Sequence, residues 1–112
     1  MCLCYGNGLY DEAAAKVYGA VGCPPIHNNE QKMAWKNYVY AVVEHFKGRI
    51  TYYEIWNEPD GRWCWKHGVN PEEMASLTLI TAESITTTII ILLRKTRTET
   101  EKFDLSLHRP LR

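Results

Sequence analysis

The 112-residue chain has no surplus of charge of either sign: 13 Lys and Arg balance 13 Asp and Glu. It therefore lacks the basic excess that neutralises phosphates, and neither nucleic acid nor a membrane surface is expected as a partner. It has no Cys-x-x-Cys pair. Cys2, Cys4, Cys23 and Cys64 stand apart from any histidine at a zinc spacing, so no metal site is expected, no cofactor is implied, and the sequence offers no disulfide pairing. The four read as free, mostly buried thiols. No basic segment followed by a long apolar stretch precedes Cys2, so no signal peptide is expected. The longest apolar run, Ile85–Leu93, falls far short of the roughly 20 residues of a membrane span, and if exposed it would be prone to aggregate. Aromatic residues are abundant instead: four Trp and seven Tyr. Such enrichment fits a large core first and sugar-stacking platforms second.

One long helix is clear. Over 28–48, Trp35, Tyr38, Val39, Val42, Val43 and Phe46 recur at helical spacing on one face. Asn28 is placed to cap its start, with Gln31 three residues on as in a capping box, and Gly48 supplies a left-handed residue past its end. A tight loop leads to a strand over Arg49–Trp56, rich in β-branched and aromatic residues and stopped by Pro59. Met1–Tyr5 reads as an earlier strand, broken by Gly6-Asn7-Gly8. The Ala-rich stretch 11–21 predicts a short helix ended by Gly22-Cys23-Pro24-Pro25. Pro71 suits the first position of a further helix, capped by Asn70 with Glu72 and Glu73 in its first turn, that runs to about Ser84.

Beyond that point the character changes, because eight of the nine threonines lie between Thr78 and Thr100. Two readings of the stretch after Ser84 stay open. One is a divergent strand over Thr88–Leu93 followed by a solvated tail; the other is a segment outside the reading frame of the first part. The chain thus divides into residues 1–85 and a divergent or frameshifted tail over 86–112.

Tyr53-Glu54-Ile55-Trp56-Asn57-Glu58-Pro59-Asp60 resembles the acid/base motif of retaining glycoside hydrolases of clan A, most of all glycoside hydrolase family 39 (β-xylosidase-like). The resemblance covers Cys2 to about Ser84 and is sharpest from Tyr53 to Trp65. It implies an α/β fold: a fragment of a (β/α)8 barrel, about strands three and four with their helices, since a full barrel needs about 250 residues. It implies Glu58 as general acid/base and Asn57 as the amide that holds the sugar 2-hydroxyl. A Glu at the end of a buried strand, half buried among rings, is expected to have a raised pKa. The resemblance places the nucleophile far beyond residue 112, and Glu54, about 13 Å back along the strand, does not replace it.

Trp56, Trp63 and Trp65 are candidates to stack on sugar faces; His67 and Asn7 are candidates to line the cleft. Trp56 has core packing as an equal alternative. Carbohydrate is the expected partner, and unpaired strand edges are expected to favour self-association. The expected function is a glycosidase fragment without turnover of its own. The alternative is a non-catalytic carbohydrate-binding or non-functional remnant. Relatives of this kind are often secreted or lysosomal; no address is expected within these residues, and the localisation stays open.

Overall fold

The computed structural model describes residues 1–107, with side chains described through Lys102; the last residues of the expected tail, 108–112, lie outside the described residues. Two short strands, β1 (Cys2–Leu3) and β2 (Glu54–Ile55), pair in parallel with Cys2 opposite Glu54 and Leu3 opposite Ile55. The Glu54 amide donates to the Met1 carbonyl (2.8 Å), and the Trp56 amide donates to the Leu3 carbonyl (2.9 Å). Between the strands lie α1 (Gly19–Gly22) and α2 (Asn29–His45). After β2 comes a single helix, α3, Pro71–Leu107, of 37 residues.

The barrel-fragment expectation is overturned. The sheet has two strands of two residues each, and the strand expected over Thr88–Leu93 is helical. The physical reason lies in packing rather than in the hydroxyls. Ser84, Thr88 and Thr96 each donate to the carbonyl four residues back, at 2.8, 2.6 and 3.1 Å. Those bonds satisfy the hydroxyls within the helix but do not themselves favour it. At the same time Thr88 and Leu92 face inward and are buried, so the helix continues straight through residues 85 and 86. Joined to the preceding turns, the apolar run is longer than it reads in sequence. One 18-residue window of α3 reaches a mean hydropathy of 1.7, long and apolar enough to cross a membrane by length and composition, and 22% of it is buried in the fold.

The Ala-rich stretch is also less helical than its composition suggests. Residues 12–18 form turns, and only Gly19–Gly22 closes a helical turn. Asp11 Oδ1 accepts from the Ala13 amide (2.9 Å), a local turn that competes with helix. Gly19 is packed against the Ala13 carbonyl so closely that a Cβ there would collide with it. In contrast, α2 follows its capping signals. Asn28 Oδ1 accepts from the Gln31 amide (2.8 Å), and Gln31 Oε1 accepts from the His27 amide (3.0 Å). Gly48 has φ +75° just past the helix end.

The core lies where α2, α3 and the strand ends meet, built from Leu3, Trp35, Val39, Val43, Trp56, Trp65 and Leu77. Trp56 packs between Trp35 (6.1 Å between centroids) and Trp65 (6.0 Å). Each buried indole N–H finds an acceptor: Trp35 donates to Thr81 Oγ1 (2.8 Å), Trp56 to the Cys64 carbonyl (2.7 Å) and Trp65 to Glu73 Oε2 (2.8 Å). Buried Trp is stable only on that condition.

Candidate functional site

β2 ends at Ile55, and the chain turns sharply. Trp56 and Glu58 both adopt left-handed backbone, with φ of 64° and 43°. For residues with a Cβ this conformation costs on the order of 1–2 kcal/mol each. The Trp56 side chain, 1% exposed, holds the turn in place by its packing and its bond to Cys64. The Cys2 thiol adds a bond to the Trp56 carbonyl (3.2 Å), and Gly61 N–H closes a turn onto the Glu58 carbonyl (2.9 Å). Strained backbone fixed by a rigid core is common at sites that present a reactive group.

What this turn presents is the Glu58 carboxyl, which is exposed. The expectation of a half-buried acid among aromatic rings is therefore corrected: the rings of Trp56 and Trp65 turn into the core, away from solvent, and leave Glu58 outside. Asn57 is half-buried, its amide directed at the Cys64 sulfur (3.7 Å). Glu54 is exposed on β2, so it is not a buried charge in need of a partner.

The remaining candidates fall in different places. Trp65 is fully buried at 0% exposure, so neither it nor Trp56 offers a face to a ligand in this structure. Trp63, at 78%, does. His67 is exposed and meets His27 edge-on, 5.0 Å between ring centroids. His27 in turn lies 3.9 Å from Glu73, so His67 belongs to a group at the start of α3. Asn7 is exposed, its Oδ1 accepting from the Leu9 amide (2.9 Å).

Asn7 and Tyr5 help line a cleft of about 460 Å³ together with Tyr10, Asp11, Trp35 and Tyr38. This volume suits a small ligand. Tyr5 also packs edge-on against Trp56 (5.7 Å), so the cleft adjoins the turn that carries Glu58, although neither Asn57 nor Glu58 lines it. Tyr10, Asp11 and Tyr38 were not legible as cleft residues. Tyr38 sits at a helical position that reads as core, Asp11 opens a stretch that reads as helix, and Tyr10 lies just before it. Cys4, which also lines the cleft, has its sulfur 3.7 Å from that of Cys2. Burial first, then the neighbouring Cys2, pushes the Cys4 thiol up to about 11. Burial likewise raises Tyr38, whose hydroxyl donates to the Cys4 carbonyl (3.3 Å). These groups stay neutral at physiological pH and offer hydrogen bonds rather than charge. Among the described residues no cluster of three or more His, Cys, Asp or Glu could hold a metal ion.

No family model, no curated protein and no solved structure matches the chain.

Proposed function

We infer that the chain is a fragment of a retaining O-glycosyl hydrolase that carries the acid/base Glu58 and the 2-hydroxyl ligand Asn57 but not the nucleophile. The observation that supports this reading most is the strained turn after β2, where left-handed Trp56 and Glu58 bracket Asn57 and hold the Glu58 carboxyl in solvent. A general acid must reach the leaving oxygen of a glycoside, and an exposed carboxyl on a rigid turn is able to do so. Retention needs a second carboxylate about 5–5.5 Å away to attack the anomeric carbon. Glu54 is set back along β2 and does not supply it. The fragment is then expected to bind carbohydrate weakly and to turn over none.

A carbohydrate-binding role without catalysis is the second reading, supported by the exposed ring of Trp63 and by the tyrosine-lined cleft. Titration of the chain with xylo- and gluco-oligosaccharides, followed by tryptophan fluorescence alongside release of p-nitrophenol from aryl glycosides, separates the outcomes. Saturable binding weakened by Asn57→Ala, with no turnover, supports the fragment. Turnover that Glu58→Gln abolishes would overturn it. Binding lost in Trp63→Ala but intact in Asn57→Ala favours the second reading, and no saturable change at high millimolar sugar removes both.

A further inference from the structure

The long helix has two apolar sides, and the fold covers one. Leu77, Thr81, Thr88 and Leu92 are buried, with Trp35 of α2 bonded to Thr81. Residues two apart on a helix lie on nearly opposite sides, about 200° around its axis. The opposite side carries Leu79, Ala82, Thr86, Ile89, Ile90 and Leu93, all exposed, Leu79 at 67% and Leu93 at 66%, with Ile89 and Leu93 also at the rim of a groove shared with Val43, Ile50 and Tyr53. Positions 79, 82, 86, 89 and 93 follow the alternating three- and four-residue spacing of a seam between helices. That stripe is about 21 Å long at the rise of an α-helix.

We propose that this stripe is the contact surface for a second copy of the chain, with the two α3 helices running antiparallel across a two-fold axis near Thr86. The charge distribution selects both partner and direction. Before the stripe's midpoint α3 carries Glu72, Glu73 and Glu83 and no Lys or Arg. Over the facing residues 89–100 come Arg94, Lys95 and Arg97 against Glu99, and beyond them Lys102 against Glu101 and Asp104. An antiparallel pair centred on Thr86 sets residues 72–83 of one copy opposite 89–100 of the other, acidic end on basic end. A parallel pair would stack like on like. A lipid bilayer fits less well. A membrane span would strip α2 from α3, expose Trp35 and its Thr81 bond, and carry Glu83 into the hydrocarbon. A helix pair leaves those contacts intact and keeps Glu83 exposed beside the stripe.

Sedimentation equilibrium of the full chain over a micromolar concentration series is the test. The apparent mass should rise from the 13.0 kDa of one chain toward twice that value. The pair Ile89→Glu and Leu93→Glu should weaken association at least tenfold, with far-UV circular dichroism and tryptophan emission unchanged. Ala82→Glu, at an exposed position the fold does not use, should do the same and guards against a packing defect in the first variant. Added salt should loosen the dimer by screening the end-to-end attraction. A monomer at every concentration would overturn the proposal. So would a dimer indifferent to these substitutions, which would place the contact at the strand edges, or one tightened by salt, which would mean a parallel pair. Co-sedimentation of a monomeric chain with phosphatidylcholine–phosphatidylserine vesicles would also overturn it and make lipid the occupant.

Discussion

The body of the molecule and the far end of α3 are held by different kinds of contact. In the body, groups distant in sequence meet: Trp35 with Thr81, Trp56 with Cys64 and Tyr5, Trp65 with Glu73. Past Leu92 every side chain from Leu93 to Lys102 is exposed, and the bonds are local. Thr98 and Thr100 donate to the carbonyls of Arg94 and Thr96, and Arg97 pairs with Glu101 four residues on. Local bonds of this kind stabilise a helix by only a few tenths of a kcal/mol each, whereas a buried ring with a satisfied N–H contributes several kcal/mol. The helix reaches away from the body, and the molecule is 70 Å long by 24 and 22 Å. The body accordingly holds the candidate site, and the far end of α3 projects with local support only.

The contrast is broken most strongly at Trp56. Trp56→Ala removes the ring that joins Trp35, Trp65 and Tyr5 and should cost about 3–5 kcal/mol, enough to unfold much of a small domain at room temperature. Urea denaturation followed by circular dichroism measures it. A loss below about 1 kcal/mol would mean that the three tryptophans are not one core.

Thr81→Val comes next. It keeps the shape of the side chain but leaves the buried Trp35 N–H without its acceptor, for an expected cost of about 1–3 kcal/mol. The same denaturation curves decide, and an unchanged midpoint would show that α2 and α3 are held by packing alone.

The smallest effect belongs to the far end. Replacing Thr96, Thr98 and Thr100 together by Ala should shift stability by no more than about 0.5 kcal/mol and slightly raise the helical signal, since Ala is the better helix former. A loss as large as that of Trp56→Ala would erase the distinction between the two regions.

Much of the body was legible before the structure. The capping pair Asn28 and Gln31, the apolar face of α2, the left-handed Gly48 and the Asn70–Pro71 start of α3 all act through neighbours within one helical turn, and local signals carry that far. The candidate site was legible in part. The motif marked the turn after β2, but Trp65 read as an exposed loop ring. Its burial depends on Glu73, which reads from sequence as a helix-start carboxylate and also accepts the indole N–H. The half-buried acid expected at Glu58 failed for a related reason: the aromatic rings beside it had a core to fill.

The sequence by itself determined where α2 begins and ends, where α3 starts, and which segment carries an Asn-Glu pair past a strand, because caps, glycines and prolines act over a few residues. Only the tertiary structure decided that the β-branched and apolar run 85–93 is helix, that two of three candidate sugar-stacking rings are buried, and that one side of α3 stays open. Each of those outcomes depends on which surfaces α2 and α3 present to one another. Short apolar and threonine-rich runs are compatible with strand and helix alike until a partner surface selects between them.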